Sequence, residues 1–215
     1  MDTNEFDKAV ISAVFEQAAL VGWRDTNLVE AARFAGLDLA RLRARFASKT
    51  VMLLRFGIVA DQAVLAGAPT QGTPRERLFD VLMARFDQLQ AHRGGVLALM
   101  EALKTDPGTA LMLYGATLGS MRWMLDAAGI PSMGIVGGLR VHGLLAMWTY
   151  ALRAWERDGG ADLPATMAAV DRALDRAMQA EGILPGARRP VEPEPELPVV
   201  TGTDVIVTDD GPTVI

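Results

Sequence analysis

The sequence predicts an all-α fold, on three observations. Apolar residues recur at helical spacing through nearly every hydrophobic segment. Pro74, Pro107 and Pro164 stand just where long periodic runs begin, the position at which a first-turn proline is tolerated. No window alternates convincingly in the manner of a strand, apart from the short "DVIVTD" near the C-terminus. Half of the 215 residues are hydrophobic, enough for one sizeable core or for a small module docked on a larger one.

The first helix is carried by Phe6, Val10, Ala13, Val14, Ala18 and Val21, which lie on one stripe, and Gly22 ends it. Asp25 or Thr26 is expected to cap a second helix running through Ala35, closed by Gly36. Asp38 caps a short third helix to about Ala44, and Ser48 a fourth to about Ala66. "GAPTQGTP", residues 67–74, is a linker and the best internal boundary. Five further helices are expected at roughly 74–91, 95–104, 107–128, 135–158 and 164–181, with Asp106 and Asp162 as nearby caps. The organisation is then three parts: 1–66, 67–184, and a Pro- and acid-rich tail, 185–215, expected to be disordered.

Charge is unevenly placed. The net charge is −5, but residues 190–215 hold six acids and no base, which leaves 20 acids against 21 bases in 1–189. Within that near-neutral part, Arg41, Arg43 and Arg45 stand at alternate positions, Lys49 follows, and no acid occurs from Leu39 to Ala60. Two short helices joined by a tight turn at Gly36-Leu37-Asp38, with a helix before and after, are the parts of a helix-turn-helix. Guanidinium groups suit bidentate contact with phosphate or guanine. Arg41 and Arg45 share a face at i, i+4, Arg43 points elsewhere, and Leu39 and Leu42 face the core. Lys49 lies in a helical first turn, where free N–H groups also favour phosphate. Double-stranded DNA is the partner this block implies, contacted through Arg41, Arg43, Arg45 and Lys49, mainly at phosphates.

Residues 9–66 resemble the N-terminal domain of the TetR family of transcriptional regulators. The resemblance rests on "GW" at Gly22-Trp23, on Thr26, on "VEAARFAGL", and on Gly36-x5-Leu42-x3-Phe46-x-Ser48-Lys49. It implies a helix-turn-helix domain followed by a larger helical ligand-binding and dimerisation domain. It also adds Thr26 to the DNA-contacting residues, and implies a homodimer released from its operator by an effector. Two departures stand out. The recognition helix carries arginines where the family often has a Thr and paired aromatics, and the basic arm before the first helix is replaced by "MDTNEFD".

The second half is rich in Met, Trp and small residues. Met lines adaptable pockets, so an apolar cavity for a small apolar effector is expected, with Tyr114, Met121, Trp123, His142 and Met147 as its ligand-binding residues. Val141, Leu145, Trp148, Met167, Val170 and Leu174, on the last two helices, are the expected dimer contacts. "RWMLDAAGI" (122–130), Trp148, "RAWERD" (153–158) and "TMAAVDRALDRA" (166–177) also resemble the COQ-type lipid-binding accessory proteins of ubiquinone biosynthesis, which share the fold. That resemblance implies a lipid carrier without DNA binding as the alternative.

Catalysis is not expected. The two histidines, His92 and His142, are far apart, and no HExxH, nucleophile elbow, P-loop or dinucleotide glycine pattern occurs. No metal site or cofactor is implied, and the absence of cysteine excludes disulfides. "MDTNEFDKAV" lacks the basic and apolar regions of a signal peptide, and no charge-free run of about 20 apolar residues occurs. The expectation is a cytoplasmic protein with no stable membrane insertion.

Overall fold

A computed structural model describes residues 1–183. The expected tail at 185–215, with its "DVIVTD" stretch, lies outside the described residues. Nine α-helices make up the described part: α1 (Thr3–Val21), α2 (Leu28–Phe34), α3 (Leu39–Arg45), α4 (Lys49–Ala66), α5 (Pro74–Gln90), α6 (Arg93–Leu103), α7 (Pro107–Ala127), α8 (Gly134–Arg157) and α9 (Pro164–Ile183).

Local chemistry sets the helix ends. Asp2 and Glu5 form a capping box at α1, and Thr73 and Glu76 form another at α5, ahead of Pro74. Asp38, Ser48 and Asp106 cap α3, α4 and α7 as their positions predict. The cap of α2 differs from expectation. It is Asn27, whose carboxamide oxygen accepts from the N–H groups of Val29 and Glu30, while the Thr26 hydroxyl turns back to the Gly22 carbonyl at 2.7 Å. The cap near α9 differs as well. The Asp158 carboxylate, rather than Asp162, accepts from the backbone N–H of Thr166 at 2.8 Å and its hydroxyl at 3.0 Å.

The turn between α2 and α3 depends on Gly36, at φ +65°, where a side chain would be strained. Leu37 N–H reaches the Ala32 carbonyl at 2.8 Å and Gly36 N–H the Arg33 carbonyl at 3.0 Å, a Schellman closure that aims α3 across α2. The core of this N-terminal bundle is Phe6, Val10, Val14 and Phe15 of α1 with Ala31, Leu42, Phe46 and Met52. Val21, expected on the buried stripe of α1, is exposed.

The N-terminal bundle is not tethered by the 67–74 linker alone. α1 packs on α6 as well as on α2 and α4, and α4 packs on α5 and α7. A β-carbon on Gly95 of α6 would lie 2.7 Å from the Phe15 Cα, so only glycine permits this approach. The His92 ring stacks on Phe15 at 5.4 Å and meets Phe56 edge-on at 5.7 Å. Farther along α4, Asp61 forms a largely buried ion pair with Arg85 of α5, and the Ser120 hydroxyl of α7 donates to the same carboxylate at 2.6 Å. Burial pushes the Arg85 guanidinium down to about 10, still well above neutrality.

α8 packs between α7 and α9. By length and composition it is apolar enough to cross a membrane, yet it buries Val141, Leu144, Leu145, Trp148, Ala151 and Trp155 in the protein core. That burial corrects the expected dimer contacts. Val141, Leu145, Trp148, Val170 and Leu174 are spent between the helices of one protomer, and only Met167 of the six is exposed.

Candidate nucleic-acid interface

Each cation of the basic block has its own surroundings, fixed by its angular position on a short helix. Successive residues turn by about 100°, so with Leu42 inward Ala40 and Ala44 face outward, and Arg43 leaves from the flank opposite Arg41 and Arg45. Arg41 and Arg45 point sideways toward α1. Leu42 is buried, and Ala40, Arg43 and Ala44 are all exposed.

Arg45 meets Asp7 of α1 through a two-point contact, Nε at 2.8 Å and Nη2 at 2.7 Å from the two carboxylate oxygens. Arg55 of α4 adds a third hydrogen bond to Asp7 at 2.5 Å. The Asp7 side chain is fully buried. Burial pushes its carboxyl up, but the hydrogen bonds from Arg45 and Arg55 outweigh this and hold it below the ordinary carboxylate value. The same contact raises the Arg45 guanidinium.

Arg41 reaches the start of α1. Its guanidinium donates to the carbonyls of Met1 at 3.1 Å and Asp2 at 2.7 Å, and lies 4.3 Å from the centre of the Phe6 ring. Lys49 is committed in a similar way. Its ammonium donates to the carbonyls of Trp23 at 2.5 Å and Thr26 at 3.0 Å, and sits over the Trp23 ring. Burial pulls its pKa down, opposed by Asp25. Thr26 itself is only 5 % exposed. The motif lysine thus ties the turn between α1 and α2 to the first turn of α4.

The block is therefore not four free cations. Arg43 differs from the rest: it is exposed and meets no hydrogen-bonding or ionic partner among the described residues. The two sequence departures noted above are one feature. The acidic "MDTNEFD" segment is the counterpart of the arginines of α3, supplying the Asp7 carboxylate, the Asp2 carbonyl and the Phe6 ring to them. The signal for it was present in the sequence. Asp7 falls on the same helical stripe as Val10 and Val14, and a carboxylate on an apolar face calls for a buried cation partner.

The expected effector residues do not converge. Met121 is fully buried in the core, while Tyr114, Trp123 and His142 are exposed. His142 donates through Nδ1 to the Gly138 carbonyl of its own helix at 2.9 Å. Of the five, Met147 lines a narrow crevice between α5, α8 and α9, with Leu82, Phe86, Trp148 and Val170. The crevice is too tight to admit a water molecule. The open apolar cavity that Met content suggested is here filled by the Met and Trp side chains themselves: the Trp148 indole stacks on Phe86 at 4.3 Å.

No family model matches the sequence, and no curated protein matches it. Solved structures do match the fold. A TetR transcriptional regulator from Nitrosomonas europaea ATCC 19718 superposes with a TM-score of 0.67 at 18% identity, over 80% of this chain and 98% of that one. A TetR transcriptional regulator from Rhodococcus sp. RHA1 gives a TM-score of 0.55 at 20% identity, over 83% of this chain and 97% of that one. The chain has the fold of these regulators, an N-terminal helix-turn-helix followed by a larger helical bundle.

Proposed function

We propose that this chain is a cytoplasmic transcriptional regulator, without catalytic activity, that binds double-stranded DNA as a dimer and represses until an effector releases it. The observation that carries the reading is the outward face of α3. A helix-turn-helix braced from behind by Arg41, Arg45 and Lys49 presents Ala40, Arg43 and Ala44 to solvent, a face small enough to enter a major groove and cationic at its edge. Phosphates are contacted by those edges of Arg41, Arg45 and Lys49 that their internal bonds leave open.

The dimer belongs to this proposal because one short helix buries too little for tight specific binding. α8 carries a second apolar face opposite its core side, with Ile135 and Leu139 exposed by 88% and 66%, and the adjacent α7 exposes Leu111 and Trp123. Exposed apolar surface of this kind fits a second copy of the chain. The effector is a small apolar molecule that parts α5, α8 and α9 at Met147. The lipid-carrier alternative would part the same helices around a longer chain and would bind no DNA.

The test is retention of genomic DNA fragments by the purified full-length chain at low salt. Enrichment of discrete fragments, including one near the gene for the chain itself, is expected. Retention of nothing above background, with a stoichiometric lipid in the solvent extract, contradicts the proposal.

A further inference from the structure

Resting on the reading of the chain as a duplex-binding regulator, we propose that Arg43 is the specificity-determining residue of α3. Its guanidinium reads one guanine in the major groove, and the methyl groups of Ala40 and Ala44 select thymine beside it. The case begins with the division of labour among three arginines. Two have their directions fixed by bonds to α1: Arg45 on Asp7, and Arg41 on the Met1 and Asp2 carbonyls. Each is held sideways and cannot also extend from the outward face. Arg43 is held by nothing among the described residues, and its five donors are available in a rigid fork.

The residues around it complete the argument. Ala40 and Ala44, four residues apart, share the outward face, Arg43 adjoins Ala40 at i+3 on the flank beside them, and all three are exposed. Methyl side chains let the α3 backbone approach base edges closely, so a long side chain on the flank beside them can reach the floor of the groove rather than only its rim. The α3 N-terminus does not compete for a phosphate, because the Asp38 carboxylate already accepts its Arg41 N–H at 2.6 Å. Guanine offers O6 and N7 to one guanidinium, and the thymine C5-methyl group suits contact with alanine.

The experiment selects binding sites for the full-length chain from randomised duplexes at about 50 mM salt. Measurements then follow on the selected duplex carrying 7-deazaguanine or uracil at single positions. The expected site holds a guanine in each half with thymine adjacent. Replacing that guanine by adenine weakens the wild-type protein by about 5- to 150-fold, the range of one bidentate base contact. Deazaguanine at that position weakens the wild type, as does uracil beside it. R43A, whose substitution is on the surface and leaves folding intact, loses the guanine and deazaguanine discrimination, and R43K does not restore it. A guanine preference that survives in R43A, or wild-type binding indifferent to deazaguanine and uracil, overturns the inference while leaving a duplex-binding regulator. No enrichment of any duplex overturns both.

Discussion

Replacing Asp7 by Asn isolates the claim that most of the basic block is structural. The change keeps the side-chain shape and removes one negative charge that three guanidinium nitrogens share. Breaking a buried ion pair costs about 3–5 kcal/mol when the abandoned charge stays buried. Here the abandoned charges are the guanidiniums, and their side chains remain 38% exposed for Arg45 and 21% for Arg55, so water recovers part of the loss. We expect D7N to cost about 2 kcal/mol, a fall in melting temperature of about 4–8 °C for a chain of this size. Removing both arginines instead leaves the buried carboxylate without a partner and costs about 3–5 kcal/mol. R43A, on the same helix, changes stability by less than about 0.5 kcal/mol. The pH dependence supplies a second readout. The folded Asp7 lies below its unfolded value of about 3.9. Its contribution is therefore complete above about pH 4 and is lost as the pH falls through the folded value. The stability gap between wild type and D7N, measured by urea unfolding from neutral pH into acid, should hold to about pH 4 and close below it. A D7N protein as stable as wild type at pH 7, or an R43A variant as damaged as an R45M variant, refutes the reasoning.

Three other outcomes follow from particular contacts. K49M should lower stability by about 1–3 kcal/mol, because it strands the Trp23 and Thr26 carbonyls, with thermal unfolding as the measurement. G95A should cost about 3 kcal/mol or more by forcing α6 off α1, whereas G115A, with nothing near its new β-carbon, should be neutral or stabilising in the same assay. L139E, on the exposed face of α8, should leave the fold intact and shift sedimentation equilibrium from dimer to monomer.

The fold was legible because its signals are local. Asp38, Ser48 and Asp106 cap where their positions say, Gly36 closes α2, and the helical stripes give the helices to within a few residues. The caps that were misplaced, Asn27 and Asp158, compete with neighbouring Asp and Thr residues of equal capping strength, and only tertiary packing selects between them. The site was less legible because its partners are distant in sequence. An acid-free stretch from 39 to 60 reads as free positive charge until the chain folds and brings Asp7 against Arg45 and Arg55. The same holds for Met121 and Trp123, two residues apart on α7: one is fully buried and the other is 63% exposed, and composition cannot separate them. Phe34, within the motif-like "VEAARFAGL", is 93% exposed at the end of α2, which its apolar side chain did not signal.

The central claim is that the outward face of α3 engages duplex DNA, and salt-dependent binding tests it most directly. A fluorescent duplex from the region upstream of the gene is titrated with the full-length chain from about 50 to 200 mM salt, alongside R43A. The account predicts saturable binding whose logarithm falls linearly with the logarithm of salt concentration, and a marked loss of affinity in a fully folded R43A. Binding that is absent at about 50 mM salt, or that R43A retains in full, contradicts it.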